Sequence, residues 1–223
     1  MSLLLVVYAV DVGSIKKKGG NFAWARAECV SGHVDVSTDT DIDRLVAEVV
    51  EDLGAGHSVA LGFECPLFIP VRSDPTEFAA RRLGEWNRPW SAGAGAARMA
   101  TGLAQSVYVL RRVRESAEEA GLSVTPTLAP SQFTAGEANL LLWEAFVSGK
   151  SKTRSHVGDA ESAARLCLCR LQADTPQTDI GGDGDVLSLV GAAAIRSGLS
   201  DATELLSQPC LVVRLSTEAS TPR

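Results

Sequence analysis

The chain opens with apolar residues that run almost without interruption from Leu3 to Val12. A short run of this kind is typical of a strand that is covered on both faces. The segments 21–30 and 33–37 predict two more strands, and Ser31 and Gly32 between them form a hairpin signal. The pattern therefore predicts a three-stranded meander at the start of the fold.

A helix and a fourth strand follow the meander. Between Asp41 and Leu53 an apolar residue occurs at every third or fourth position, the spacing that aligns side chains on one face of a helix. The stripe consists of Ile42, Leu45, Val46, Val49, Val50 and Leu53. We expect Thr40 to cap this helix and Gly54 to end it. The residues from His57 to Glu64 then predict another buried strand.

Residues 66–97 interrupt the regular pattern because they are rich in proline, arginine and tryptophan. We interpret them as an insertion after the fourth strand, with one short helix over 75–84. An amphipathic helix is expected from Met99 to the glycine at position 121, which favours helix termination. A short strand is expected over 122–127.

The C-terminal part predicts further helices and one strand. Drawn as a helix, residues 137–147 would be apolar on nearly every face, which favours a buried helix. Glu144 is an acid within this segment. Additional helices are expected to begin at Asp159 and at Asp185. A last strand is expected over 210–215.

The composition fits one α/β domain over residues 1–223, with a flexible tail at 216–223. Apolar residues make up 45% of the chain and charged residues 22%, as in ordinary globular proteins. The N-terminal run is too short to span a bilayer and lacks the flanks of a signal peptide. Five cysteines without metal-site spacing favour reduced thiols. We therefore expect a cytoplasmic protein that does not contact a membrane.

The formal net charge of −6 argues against a broad surface that coats nucleic acid, but it leaves a local basic groove open. Basic side chains cluster at 16–18, 81–82 and 150–154, and a segment rich in tryptophan and arginine spans 86–90. Each basic cluster is either a solvated surface or part of a phosphate-binding groove. The tryptophan segment either stacks bases and binds phosphate or buries its indoles over the sheet edge. The substrate-binding candidates are Lys17, Arg88, Trp90, Lys152 and Arg154.

Three acids occupy positions where charge is costly. Asp11 ends a buried strand, Glu64 ends another, and Asp159 begins a helix. In open α/β sheets, ligands bind in the crevice beyond the carboxyl ends of the strands. If the first and fourth strands are neighbours, Asp11 and Glu64 point into the same crevice.

Carboxylates that are brought together repel one another unless a proton or a cation neutralises them. Oxygen ligands select Mg²⁺ or Mn²⁺, and such a site suits the hydrolysis of phosphodiesters. The simpler interpretation treats each acid by itself. Asp11 then closes a turn, Glu64 pairs with an arginine such as Arg88, and Asp159 caps its helix.

The sequence resembles the RNase H-like superfamily, most closely its RuvC-like resolvases and a group of uncharacterised predicted nucleases. The resemblance rests on VYAVDVGS at 7–14, LGFECPL at 61–67 and HVGDAESAA at 156–164, together with the order of the elements. It implies a mixed five-stranded sheet with helices on both faces, an insertion after the fourth strand and extra C-terminal helices.

The resemblance also implies roles for individual residues. Asp11, Glu64 and Asp159 would bind Mg²⁺ or Mn²⁺ and cleave nucleic acid, DNA or RNA. The resolvase pattern often has a further acid near the last helix, and here that place is filled only by His156 or Glu161. Asp185 and Glu144 also compete for the remaining ligand position, and a homodimer follows by analogy alone.

His156 has two interpretations that the sequence leaves open. Placed three residues before Asp159, it could assist proton transfer or bind metal, and it could equally be a simple polar contact. Two other functions compete with the nuclease. One is a phosphate-binding ATPase module of the actin and sugar-kinase kind, suggested by DVGS at 11–14 and DIGGDG at 179–184. The other is a scaffold that keeps the fold without catalysis.

Overall fold

The computed structural model describes residues 4–16, 20–86, 90–147 and 152–215. The predictions for Lys17, Arg88 and the tail 216–223 lie outside these residues. The strands are β1 Leu5–Asp11, β2 Ala23–Val30, β3 His33–Asp39, β4 Ser58–Phe63, β5 Phe68–Pro70, β6 Pro126–Thr127, β7 Leu140–Phe146, β8 Val186–Ser188 and β9 Leu211–Arg214. The helices are α1 Ile42–Gly54, α2 Gly93–Glu119, α3 Pro130–Thr134, α4 His156–Leu171 and α5 Leu189–Arg196.

The architecture is α/β around one mixed sheet, as predicted. Its strands run in the order β3-β2-β1-β4-β7-β6, and β9 also pairs with β7. Strands β1, β2 and β3 form the predicted antiparallel meander. Strand β4 then lies parallel to β1, and β7 lies parallel to β4. The sheet has seven strands where five were expected, because the short strands β6 and β9 share the outer edge of β7.

Both faces of the sheet are covered, which explains the unbroken apolar run at the start of the chain. Side chains alternate between the faces of a strand, so Tyr8 and Val10 face one way while Val7 and Ala9 face the other. The first face packs against α1, α2 and α5. The second packs against α4. Strand β1 therefore has no side that water can reach.

Helix α4 approaches the sheet closely because small side chains meet on both sides of the contact. Its buried face carries Ala160, Ala163 and Ala164, and the strands beneath offer Ala9 and Ala25. Alanine pairs shorten the distance at which a helix can pack. The start of α4 is thereby held near the end of β1.

The predicted helix over 137–147 is wrong, since these residues form β7. The segment is apolar on all sides because a central strand is covered on both faces, and periodicity cannot distinguish such a strand from a buried helix. The helix expected from Asp185 is wrong in its first residues, because β8 comes before α5. The short helix expected over 75–84 is a single 3-10 turn at Pro75–Glu77.

Several predicted boundaries also shift. Helix α1 is capped by the side chain of Asp41 rather than by Thr40. Helix α2 starts at Gly93, so its first turn belonged to the segment interpreted as an insertion. Helix α4 begins before Asp159, and Ser155 is its cap. Of the residues 122–127 that were expected to form a strand, only the last two do so, as β6.

The insertion after β4 is anchored to the C-terminal part of the chain. Strand β5 pairs with β8 in a small antiparallel sheet. Leu83 also pairs with Gly181. Helix α2, with 27 residues, then returns the chain to the main sheet. In the described ranges, α2 and the shorter helices all lack a stretch long and apolar enough to cross a membrane.

We predict that Gly62→Ala destabilises the fold by about 2 kcal/mol, as overpacked cores commonly do. A methyl group at this position of β4 would meet the indole of Trp143 at 2.2 Å, and Trp143 is fully buried. Gly93→Ala is the matched control because its methyl group meets no atom within 4 Å. Urea denaturation of both variants measures the difference. Equal stability of the two variants would contradict the packing described here.

Candidate metal centre

Asp11 and Glu64 lie side by side at the carboxyl ends of two adjacent parallel strands. Val10 pairs with Phe63 across β1 and β4, and the Glu64 backbone N–H donates to the Val10 carbonyl at 2.7 Å. Alternation along the strands directs both acidic side chains to the face that α4 covers. The prediction that the two acids share one crevice is confirmed.

Asp159 completes the cluster from the first turn of α4. One carboxylate oxygen from each of Asp11, Glu64 and Asp159 lies within 4.8 Å of the others. The second oxygen of Asp159 is fixed by the loop before the helix, because the Thr153 backbone N–H donates to its Oδ1 at 2.6 Å. Asp159 is therefore not the cap of its helix, and the interpretation of it as a cap is wrong.

The three acids are almost completely removed from water. Asp11 is 0% exposed, Asp159 is 3% exposed and Glu64 is 7% exposed. Burying an ionised carboxylate is costly unless cations or hydrogen bonds compensate for the lost hydration. The surroundings of the cluster must therefore supply positive charge.

Two basic side chains supply such charge directly. Arg98, which belongs to α2, binds Asp11: its guanidinium lies 2.6 Å from Asp11 Oδ1. The Lys152 ammonium lies 3.1 Å from Glu64 Oε1 and 3.7 Å from Asp159 Oδ2. Glu64 thus pairs with Lys152, whereas its suggested partner Arg88 lies outside the described residues.

Glu64 remains the least compensated acid of the cluster. Burial raises its pKa to about 8, and the negative charge of Asp11 adds to the shift. Its Oε2 atom is buried without a hydrogen-bond partner in the described part of the protein. An unpartnered carboxylate oxygen beside two other carboxylates matches the preference of Mg²⁺ and Mn²⁺ for oxygen ligands. The residues present therefore fit a divalent cation.

His156 contacts the same cluster from the start of α4. Its Nδ1 lies 2.5 Å from Asp11 Oδ2, and 41% of its side chain is exposed. Since a carboxylate accepts hydrogen bonds, this contact places the ring proton on Nδ1 and leaves Nε2 free to exchange a proton. The contact with Asp11 thus brings His156, with its exposed ring edge, to the border of the cluster.

The other proposed ligands are not part of the cluster. Glu161 points away from it and pairs with Arg165 at 3.0 Å, one turn along α4. Asp185 is exposed at the edge of the small sheet, where its Oδ1 accepts from the Val186 backbone N–H. Neither acid is within reach of the group formed by the three buried carboxylates.

Glu144 also lies outside the cluster, although it is next to Phe63 in the sheet. Alternation along β7 turns it to the opposite face from Glu64. There it binds Arg82 at 2.7 Å and accepts from the Leu67 backbone N–H at 2.8 Å. Arg82 also binds Glu85 at 2.8 Å, and all three charged residues are buried. This triad holds the insertion against the sheet.

The remaining substrate-binding candidates have mixed outcomes. Lys152 is at the acids, as described above, and Trp90 lines the adjacent cavity. Arg154 is exposed and is not among the residues that line the cavity. Lys17 and Arg88 belong to the residues that the structure does not describe.

Sequence reasoning missed Arg98, which contacts Asp11, and Gln105, which holds the loop after β1. The Gln105 side chain accepts from the Gly13 backbone N–H at 3.1 Å and donates to the Gly13 carbonyl. Both residues lie on one face of α2, seven residues or two turns apart. Their seven-residue spacing could have placed them on one helix face. The predicted helix began only at Met99, however, so Arg98 was not assigned to it.

A cavity of about 740 Å³ opens beside the cluster. Glu64, Arg98 and Lys152 line its charged side. Its remaining walls come largely from small and apolar residues of β7, of the insertion and of the first turns of α2. The size falls within the range of roughly 300–1,000 Å³ that is usual for small-molecule sites.

Comparisons with protein-family models, with curated proteins and with solved structures found no match to this chain.

We predict that the stability of the protein falls as pH rises, and that Glu64→Gln removes this dependence. The folded state keeps the Glu64 proton up to about pH 8, whereas the unfolded chain releases it near the ordinary value of 4.5. Between these values the folded state binds more protons, so the free energy of unfolding decreases by up to about 1.4 kcal/mol per pH unit. Denaturation in chelator at pH 5 to 8 measures the slope. Glu161→Gln should keep it, and an unchanged slope in Glu64→Gln would refute the assignment.

We also predict that Glu144→Ala lowers the free energy of unfolding by about 3 kcal/mol or more, because it leaves Arg82 with one buried partner instead of two. Glu161→Ala removes an exposed ion pair on α4 and should cost less than about 1 kcal/mol. Denaturant titration of the two variants compares them directly. Similar small losses in both would mean that the buried triad does not support the fold.

Proposed function

We propose that the chain adopts an RNase H-like fold and is a Mg²⁺- or Mn²⁺-dependent nuclease that hydrolyses phosphodiester bonds of nucleic acid. The observation that carries this proposal is the convergence of Asp11, Glu64 and Asp159 on one buried point. The three acids come from separate parts of the chain, and each is too deeply buried to be explained as a solvated surface residue.

The topology supports the fold assignment. The meander β1-β2-β3, the crossover through α1 to β4 and the mixed sheet with helices on both faces are of the kind that the resemblance implies. The positions of the acids agree as well, at the end of β1, after β4 and in a late helix. Fold and acid placement together give a more specific argument than either gives alone.

The chemistry would be divided among a few side chains. A bound divalent ion would supply an activated water and stabilise the leaving oxygen. Asp11, Glu64 and Asp159 would hold the ion with their carboxylate oxygens. Lys152, whose side chain is 36% exposed, is placed to meet a substrate phosphate.

His156 would transfer a proton at the edge of the site. Asp11 fixes its ring through Nδ1, which directs Nε2 away from the carboxylate. With Nδ1–H held by Asp11, Nε2 can accept a proton from the attacking water and pass it on to the leaving oxygen. If the ion replaced Arg98 and Lys152 as the partner of the acids, these two basic side chains would be free to neutralise charge on the phosphate.

One competing function has a specific observation in its favour. Arg98 and Lys152 already compensate the acids, so a catalytically inactive scaffold can retain the cluster as an ion-pair network. The phosphate-binding ATPase alternative is weaker because the side chain of Asp179 is engaged by Arg170 at 3.1 Å and by the Arg214 backbone N–H at 2.8 Å. Metal-dependent cleavage distinguishes the nuclease from both.

The cellular setting and assembly state are part of the proposal. Cys65, Cys167 and Cys210 are free and buried, which suits a reducing cytoplasm. A homodimer is proposed by analogy with RuvC-like enzymes. Nucleic acid is the proposed partner.

We predict that Asp11→Asn abolishes Mn²⁺-dependent cleavage of DNA or RNA, with a loss of at least about 100-fold, because it removes a charged group from a preorganised site. Asp185→Asn is the matched control, since Asp185 is exposed and outside the cluster. Cleavage of a mixed panel of labelled single-stranded and duplex substrates, with and without Mn²⁺, measures the effect. Failure of the wild-type protein to cleave any substrate, or equal activity in both variants, would refute the nuclease.

A further inference from the structure

The cavity beside the acids has a second polar wall that the proposed chemistry does not use. The residues Ala92, Ala94 and Gly95 at the start of α2 line the same cavity as Glu64 and Lys152. Their side chains are small or absent, so the backbone itself forms the surface. This smallness keeps the cavity open.

The first turn of α2 presents backbone N–H groups that have no partner within the helix. Ala92 is the N-cap, and its methyl side chain cannot accept a hydrogen bond from them. The positive end of the helix dipole lies at the same place, so an anion is favoured there. The partial charge at this helix end is therefore opposite in sign to that of the Glu64 carboxylate in the same cavity.

An independent feature points to a ligand in the same cavity. Glu64 lines it, is 93% buried and has an Oε2 atom without a hydrogen-bond partner in the residues described. A buried carboxylate oxygen without a partner favours a cation. A cation that shares a cavity with a helix N-terminus favours an anionic ligand in contact with both. A phosphate group coordinated to a divalent ion meets both requirements.

Much of the remaining wall is apolar or aromatic, although Glu85 and Glu144, each paired with Arg82, also line the cavity. Trp90 lines it, and its indole N–H is fixed by the Ala80 carbonyl at 3.0 Å. The apolar surface is completed by Val12, Cys65, Pro66, Ala145, Phe146 and Val147. Such walls suit a flat heterocycle, because aromatic side chains stack against nucleobases of any sequence.

We propose that this cavity takes one unpaired nucleotide of the substrate, with a phosphate at the first turn of α2 and the base against Trp90. The inference rests on the proposed nuclease function and specifies its substrate class. A base inside a cavity has left the helical stack, so single strands, frayed ends and unpaired sites are preferred over continuous duplex. The net charge of −6 agrees with this preference, since duplex binding relies on extended contacts between basic residues and phosphates.

The direct test places a capping side chain at the first turn of α2. Ala92→Asp and the uncharged Ala92→Asn both provide an acceptor for the N–H groups, so they should raise the melting temperature while weakening ligand binding. Ala129→Asp is the matched control. Ala129 is the N-cap of α3, its side chain also makes no capping hydrogen bond, and it does not line the cavity. Binding of a labelled single-stranded tetranucleotide is measured by fluorescence anisotropy in the presence of Ca²⁺. The probe is then checked to be uncleaved, so that the measurement reports binding alone.

We expect wild-type protein to bind the tetranucleotide at least about tenfold more tightly than a blunt-ended duplex long enough to stay paired, compared per binding site. Ala92→Asp and Ala92→Asn should weaken binding by about fivefold or more, within the range for helix-terminus and charge-assisted contacts. Ala129→Asp should bind as the wild type does. Unchanged affinity in both Ala92 variants, or equal affinity for duplex, overturns the proposal.

Two tryptophan variants test the contact between the base and Trp90. Trp90→Ala should weaken binding by about tenfold, as the loss of one stacking contact does. Trp86→Ala is the control because Trp86 is 74% exposed and does not line the cavity. Inorganic phosphate is the competing probe. Full competition by phosphate, with no effect of Trp90→Ala in a variant that melts like the wild type, would show an anion site only and overturn the nucleotide assignment.

Failure of this inference can be told apart from failure of the nuclease function. Binding of Mn²⁺ and cleavage that treats duplex and single strands equally would retain the nuclease and reject the nucleotide cavity. Tetranucleotide binding that depends on Ala92 but is never followed by cleavage would retain the cavity and reject the nuclease.

Discussion

The compensation of buried negative charge governs this end of the molecule. Asp11, Glu64 and Asp159 are held together by two parallel strands and by a helix that packs closely through alanines. Their mutual repulsion must be balanced by cations, and Arg98 and Lys152 provide part of that balance. Glu64, with its raised pKa and its unpartnered oxygen among the described residues, is the acid whose charge they balance least.

A second buried charge system stabilises the surroundings of the first. Glu144 pairs with Phe63, the residue before Glu64, but faces the other side of the sheet, where it binds Arg82, which also binds Glu85. This triad fixes the insertion that forms one wall of the cavity. Two neighbouring acids on adjacent strands thus serve different purposes because the alternation of side chains places them on opposite faces.

The sequence predicted the meander, helix α1, strand β4 and the grouping of the three acids, since these depend on local periodicity and on strand ends. It did not predict β7, because a strand buried on both faces lacks the alternation that identifies strands. Arg98 and the Glu144 triad were also out of reach. Their partners are distant along the chain, and only the packed fold shows which charges meet.

We propose that the three carboxylates share one divalent cation. Anomalous scattering from crystals of the wild-type protein soaked in Mn²⁺ tests this binding. We expect a manganese peak bonded to oxygens of Asp11, Glu64 and Asp159 at about 2.1–2.3 Å, close to the distances known for small oxygen-bound divalent ions. Crystals saturated with Mn²⁺ that show no peak there, with Arg98 and Lys152 still paired to the acids, would contradict it.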